Sequence, residues 1–277
     1  MTITAVHLYP TTMNTYGDRG NVAALTRRAA LRDIEVAWHH VELGETPPRA
    51  PDLVFMGGGQ DRVQHAVADD LQRLKPWLQE TADDGALVFA VCAGLQLLGH
   101  RYVAADGGEL RGLGLLDMET LAAGRGEWRL IGNIVIEVPA PGGPHLLAGF
   151  ENHGGRTHLG AVEPLGRVLS GFGNNGVDGF EGARAGTILA TYLHGPVLPK
   201  NAWFTDHLLG LAAAHADLDS PLAPLPHARE DAAQAEAIGV AERDARARRR
   251  RGGRLRALLP GARRVPATAA PPRSPTP

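Results

Sequence analysis

The single cysteine of this 277-residue chain, Cys92, follows a continuous apolar run, 86-ALVFAV-91, and precedes 93-AGLQLLGH-100, whose pattern predicts a helix. A residue between a buried strand and the helix it feeds sits on a sharp turn, the place from which hydrolases aim a nucleophile. Helix N-termini favour negative charge, so a thiol there ionises more readily and becomes the attacking species. Ala90 and Gly94, two residues to either side, keep bulk away from the turn. The bland alternative is a small hydrophobe ending a core strand, since free cysteines are often buried. A nucleophile also needs a base and donors for an oxyanion. His194 ends the strand-like 187-TILATYLH-194 just before Gly195-Pro196, and 57-GGGQD-61 follows 52-DLVFM-56 with glycines whose N–H groups can turn toward an anion. The three stretches together point to acyl chemistry on a thiol, although a lone histidine among the chain's twelve is more often structural.

These side chains meet only if the elements carrying them are neighbours in a sheet. The pattern predicts strands at 3–8, 34–43, 52–59 and 86–91, alternating with helices over 18–33, where Asp18 or Asn21 is placed as a cap, and over 62–84, with a kink or boundary at Pro76. Alternation of this kind implies an α/β fold with a mostly parallel central sheet flanked by helices, whose ligands lie at the C-terminal strand edge. Further strands are expected at 129–138, 167–173 and 187–194, joined by Gly/Asn turns such as 173-GNNGVDG-179, with a helix over 201–215. No linker separates the halves, so one domain is expected over residues 1–242.

Composition bounds the function classes. With 44% hydrophobic residues and a net charge of −2, the chain suits a soluble protein with a sizeable core. One cysteine excludes an internal disulfide and a cysteine zinc site. The N-terminus lacks the pattern of a signal peptide and no run is long enough to span a bilayer, so a cytoplasmic protein without membrane insertion is expected. Residues 243–277 hold eleven arginines against one acid, Asp244, giving this stretch +10 and the preceding residues −12. Such a Pro/Ala/Arg-rich tail is expected to be largely disordered, and solvation rather than nucleic-acid binding is its expected state. The histidines at 39–40, 145, 153 and 158 share no metal-binding spacing, so no metal is expected.

On these residues the chain resembles the class I, triad-type glutamine amidotransferases, in the cobyric-acid-synthase-like branch. Within that branch 16-YGDRGN-21, 57-GGGQD-61, 91-VCAGLQLLG-99, 129-RLIGN-133, 149-GFENHGGRTHLG-160, 173-GNNGVDGFEG-182 and 191-TYLHGPVLPKN-201 look like the glutaminase subunits of lipid II isoglutaminyl synthases, from the N-terminus to about Asp219. The resemblance implies a flavodoxin-like fold and hydrolysis of L-glutamine through a thioester on Cys92. It implies His194 as acid and base, N–H groups of Gly58 or Gly59 and of Ala93 around the oxyanion, and Arg129 on the substrate carboxylate. Gln96, on the helix after the elbow, and Asn152 and His153, in 151-ENHGG-155, are expected to line the pocket.

Two departures matter. The class usually reads G-x-C-x-G, whereas this chain reads A-V-C-A-G at 90–94. The class follows its histidine with H-x-E, whereas here Pro196 stands where the acid would be, leaving His194 without an orienting carboxylate at that position. The resemblance implies that an aspartate of a Mur-ligase-like synthetase partner completes the triad; Asp18 or another carboxylate near the strand edges is the in-chain alternative. No G-x-x-x-x-G-K-[ST] loop is present, so ATP and magnesium are expected in the partner and lipid II is reached through it, at the inner face of the membrane. The competing accounts are a glutaminase for a corrin-ring amidase, disfavoured by an amidase domain that starts at residue 1, and an idle scaffold with a buried Cys92.

Overall fold

A computed structural model describes residues 1–14, 17–59, 61–104, 107–124, 126–218 and 221–257, with the side chains of 61–64, 249 and 251–257 left aside. The chain-ordered elements begin with β1 (Thr2–Leu8), α1 (Arg19–Ala30), β2 (Glu35–Val41), β3 (Leu53–Met56), α2 (Asp61–Asp83), β4 (Leu87–Val91) and α3 (Ala93–Leu98). Then come β5 (Arg101–Val103), β6 (Glu109–Arg111), β7 (Met118–Ala122), β8 (Leu130–Ala140), β9 (Gly143–His153), β10 (Gly155–Leu159) and β11 (Gly166–Ser170). The last are β12 (Phe180–Glu181), β13 (Ala183–Ala185), β14 (Ile188–Thr191), a 3₁₀ turn at Leu198–Lys200, α4 (Ala202–His215) and α5 (Ala228–Ala257).

The central sheet has the order β13-β14-β4-β3-β1-β2, parallel throughout except at the β13–β14 edge. Every residue of β3, β4 and β14 is buried. That explains why these segments read as unbroken apolar runs: strands covered on both faces have no solvent side on which to place polar residues. Phe55 of β3 stacks on Phe89 of β4 at 5.7 Å, and Phe89 meets Phe204 of α4 edge-on at 5.9 Å. The expected α/β class and mostly parallel central sheet are present.

Two four-stranded sheets, β10-β7-β5-β6 and β12-β11-β8-β9, were not anticipated as separate layers. The long β8–β9 hairpin, in register from Leu130↔His153 to Ala140↔Gly143, forms the body of the second. Of the kink or boundary expected at Pro76, the boundary is corrected, since α2 continues through it; a proline removes one helical hydrogen bond but does not prevent the others on either side.

The C-terminal boundary differs as well. α5 runs to Ala257, across the division expected at 242–243, and packs on β8, β9 and β11. Asn133 donates to Asp244 at 2.7 Å, and the Arg248 guanidinium lies 5.2 Å above the Phe172 ring. The basic stretch therefore starts as helix; residues 258–277 of the expected tail lie outside the described residues. Among the described residues no helix is long and apolar enough to cross a membrane.

Candidate active site

β4 delivers Cys92 to the start of α3 in a backbone conformation that few side chains adopt, φ 54° and ψ −104°. Such strain costs on the order of 1–3 kcal/mol and persists only where the surroundings impose it. Here the Cys92 N–H is held by the Thr191 carbonyl at 2.8 Å, and the Cys92 carbonyl accepts the Gln96 N–H at 3.1 Å. Both ends of the residue are thus tied down by β14 and by the helix it opens. The elbow expected from sequence is present, with Ala93 as first residue of α3, where N–H groups lack an intrahelical acceptor. Cys92 is nevertheless only 9% exposed and packs within the core.

His194 follows β14 and is fully buried. It exchanges both backbone hydrogen bonds with Phe150 of β9, His194 N–H to Phe150 O at 2.7 Å and the reverse at 3.1 Å. Gly58 shows how tightly thiol, imidazole and glycine strand converge. A methyl group there would lie 2.8 Å from His194 Cε1 and 3.3 Å from Cys92 Cβ, so only glycine fits.

The third occupant of that space is Asp18. Its Oδ1 faces His194 Nδ1 at 3.4 Å and its Oδ2 accepts the Gly58 N–H at 2.6 Å, with both Asp18 and His194 removed from solvent. The H-x-E position holds Pro196, as the sequence shows, and the carboxylate that faces the ring is the in-chain alternative, Asp18, 176 residues away in the chain. α1 is brought to this edge by its first turn. Gly20 lies against Pro196 so closely that no Cβ would fit, and Asn21 Oδ1 accepts the Leu198 N–H at 3.0 Å. Further along, Arg28 clasps Asp206 of α4 with Nε and Nη2, each at 2.6 Å. Asp18 does occupy the cap position of α1, but makes no side-chain cap.

Burial presses the His194 pKa down, but the charge of Cys92, the hydrogen bonds with Asp18 and Cys92 and the Asp18 charge outweigh it and raise the imidazole to about 10. The direction favours an imidazolium beside the sulfur, the partner a thiolate requires. Gly58, expected as an oxyanion donor, is committed to Asp18 in this arrangement. Gly59 and Ala93 are the remaining members of that expected set.

The residues expected to line a pocket come from the β8–β9 hairpin, its N-terminal edge and α3. Arg129, exposed just before β8, donates from Nε to Asn152 Oδ1 at 3.0 Å and from Nη2 to the Asn152 carbonyl at 3.1 Å. Next to Asn152, His153 is buried and stacks face to face on Tyr192, with ring centroids 3.6 Å apart. Burial, reinforced by the charges of Arg156, His194 and Arg129 against a bond to Gly155, lowers its pKa to about 3. A neutral His153 donates from Nδ1 to the Gly155 carbonyl at 2.9 Å, which leaves Nε2 as a buried acceptor with no hydrogen-bond partner among the described residues. Gln96 Nε2 donates to the Tyr192 hydroxyl at 3.1 Å, and that hydroxyl meets Thr157 Oγ1 at 2.6 Å. Tyr192 was not singled out from sequence, although the aromatic residue two positions before His194 is the signal that points to it.

Three comparisons place this geometry among known proteins. The profile of the CobB/CobQ-like glutamine amidotransferase domain matches residues 4–202. The subunit GatD of lipid II isoglutaminyl synthase (glutamine-hydrolyzing) from Staphylococcus aureus is 41% identical over 210 residues, covering 75% of this chain and 83% of that protein. Its namesake from Streptococcus pneumoniae is 38% identical over 198 residues, covering 71% and 75%. A probable cobyric acid synthase of Methanothermobacter thermautotrophicus is 40% identical over 116 residues, only 23% of its own length. In structure, PurLQS from Thermotoga maritima superposes with a TM-score of 0.52 at 17% identity, covering 78% of this chain and 97% of that one, which shows the fold. With the profile matched across most of its length, the chain belongs to the CobB/CobQ-like glutamine amidotransferase family.

Proposed function

We propose that this chain is the glutaminase subunit of a lipid II isoglutaminyl synthase. On this reading it hydrolyses L-glutamine and passes ammonia to a Mur-ligase-like partner, which uses ATP and magnesium to amidate the D-glutamate of the peptidoglycan precursor. The observation that carries the reading is the similarity to two proteins bearing that subunit name, each covered over three quarters or more of its length. The setting is the cytoplasm, at the inner face of the membrane through the partner.

The chemistry follows from the convergence around Gly58. Cys92 Sγ attacks the glutamine amide carbon while N–H groups of Gly59 and Ala93 donate to the developing oxyanion. Collapse breaks the C–N bond, and His194 gives its proton to the departing nitrogen, so that ammonia leaves and a thioester remains. Water then loses a proton to His194 as it attacks the thioester; glutamate departs and the thiolate–imidazolium pair is restored. Arg129 supplies a planar fork for the substrate carboxylate, held ready by Asn152. Gln96 and the neutral His153 Nε2 offer a donor and an acceptor to the rest of the amino acid. Ammonia is useful to the partner only if it stays unprotonated, which requires the partner to seal this edge against bulk water.

The test supplies amide-¹⁵N glutamine to the chain with its cognate synthetase, ATP, magnesium and lipid II. Label in the amidated precursor, lost with Cys92→Ala, is the expected result. Glutamate release without label transfer would remove the acceptor assignment and leave the glutaminase alone.

A further inference from the structure

We propose that the C-terminal half of α5 is a docking surface for a bilayer containing anionic phospholipid, carried on the side of the molecule where glutamine enters. The choice of lipid among polyanions rests in part on the lipid II reading; the surface itself is independent of it.

α5 changes character along its length. Glu230, Asp231, Glu236, Glu242 and Asp244 all lie in its first part, whereas residues 245–257 hold seven arginines and no acid. Its two faces are also used differently. Ala237, Ile238 and Ala241 cluster with Val135, Leu146 and Ala148 of the β8–β9 hairpin, Asp244 accepts from Asn133, and Arg248 lies over Phe172. These positions recur every three or four residues and form the face that meets the sheet. Arg243, Arg246 and Arg250 keep the same spacing on the opposite face, where all three are exposed. Arg246 meets Glu242 at 3.5 Å in a pair open to solvent, of the kind that contributes little. Like charges a turn apart weaken a helix, so the arginine row is kept against local stability. A partner of opposite charge gives it a use.

The row ends beside the substrate rim. Gln234 donates to the Leu146 carbonyl, Asp244 is reached by Asn133, and a methyl group on Gly132 would lie 3.1 Å from Arg248 Nη1. In the hairpin Leu146 pairs with Glu137, Gly132 with Glu151, and Ile131 with Asn152. α5 therefore travels along the hairpin toward the end where Asn152 holds Arg129, and its arginines gather at that end.

Guanidinium forks bind phosphate bidentately, and dense phosphate arrays are either nucleic acids or anionic bilayers. Residues 243–277 contain no aromatic side chain on which a base could stack. Leu255, Leu258 and Leu259 stand among the arginines in the sequence and suit the boundary between headgroups and acyl chains. The acceptor of the proposed reaction is lipid-linked, so a bilayer is the surface beside which this rim has to work. The negative potential of an inner leaflet draws in such a basic segment, and the attraction falls off within a Debye length.

The test is flotation of the full chain with large unilamellar vesicles of phosphatidylcholine alone or with about 30% phosphatidylglycerol, at about 0.1 M and about 0.5 M NaCl. Binding should be at least about tenfold stronger to the anionic vesicles and should fall steeply at the higher salt. The triple variant Arg243→Gln, Arg246→Gln, Arg250→Gln should bind them about 100-fold more weakly, at about fivefold per arginine, with kcat and KM for glutamine unchanged as the check on its fold. Equal binding to both vesicle types, or undiminished binding of the triple variant, would overturn the proposal. So would binding that disappears with residues 258–277 while the triple variant keeps it. Displacement from the vesicles by single-stranded RNA at equal phosphate concentration would assign the row to nucleic acid, and flotation only with the synthetase present would assign it to that partner; either result overturns the lipid assignment. Absence of label transfer to lipid II alongside intact vesicle binding would instead remove the proposed acceptor and leave the docking surface standing, so the two failures are distinguishable.

Discussion

The reacting centre and the rim that receives the substrate are built in opposite ways. Cys92, His194 and Asp18 are almost wholly buried and come from three distant parts of the chain, each tied by backbone or carboxylate hydrogen bonds. Arg129 and Asn152 come from one hairpin, where Arg129 is exposed and its partner is a near neighbour across β8 and β9. Charge held out of water interacts strongly but is costly to bury, so the centre has to be over-determined by its neighbours. On the proposed reading a zwitterion enters over this rim, where Arg129 is exposed. Substitutions at the centre should therefore act on turnover, and those at the rim on binding.

The sharpest break of this contrast is Cys92→Ala, which should lower glutamate release at least about 10⁴-fold. Because the side chain packs in the core, a cost of about 1 kcal/mol in stability should accompany it, and a melting curve checks that the fold survives. His194→Ala should come close to the same loss. If the two act as one unit, the double variant is no more than about tenfold worse than either single one; a multiplicative loss measured in steady-state assays would show two separate contributions.

Arg129→Ala tests the other side. Loss of a charge-assisted fork of about 1.5–3 kcal/mol should raise KM for glutamine by about 10–100-fold with kcat changed only a few-fold. A fall in kcat with unchanged KM would place Arg129 with the centre instead.

Behind the centre another buried carboxylate sharpens the comparison, because it is used for structure. Glu181 accepts from the Thr191 hydroxyl and, at 2.6 Å, from the Tyr192 N–H. Burial outweighs these bonds and, with the charge of Glu151, raises its pKa to about 8. Since the folded value lies above the ordinary 4.5, its contribution to stability is full below about pH 4.5 and is lost as pH rises through 8. Wild type should lose on the order of a few kcal/mol across that window relative to Glu181→Gln, read as the pH dependence of the difference in Tm. A constant difference from pH 5 to 9 would show that Glu181 is ionised throughout.

The smallest effect concerns α5. Removing residues 258–277 should leave both glutaminase kinetics and Tm unchanged. Ending the chain at 242 deletes the Asn133–Asp244 bond and the Arg248–Phe172 contact, and should cost about 1–3 kcal/mol with kcat preserved. Equal Tm for the two truncations would return the boundary to residue 242.

Much of this was legible in the sequence because it is local. The apolar runs 53–56, 87–91 and 188–191 announced doubly covered strands, and the cysteine after one of them, followed by helical spacing, announced the elbow. The grouping of Arg129 with Asn152 and His153 followed the family's motifs, and one hairpin suffices to bring them together. The separate sheets were missed because strands of two to five residues, such as β5, β6 and β12, are too short to show a period. The boundary at 242 was misplaced because charge density reads as disorder, whereas contacts with β8 and β11 let the same residues continue a helix.

By itself the sequence determined which groups are available for chemistry: one thiol, a histidine at a strand end, glycines after another strand, and no acid at the expected position. Tertiary structure decided which of the alternatives for that acid lies beside the ring: Asp18 faces His194 at 3.4 Å. Nothing in the spacing of residues 18 and 194 foretells it, because the contact depends on Gly20 seating α1 against Pro196, on Asn21 holding Leu198, and on Gly58 leaving room between them. Which side chain satisfies a buried charge is set by steric fit among elements far apart in the chain, and only the folded chain brings those elements together.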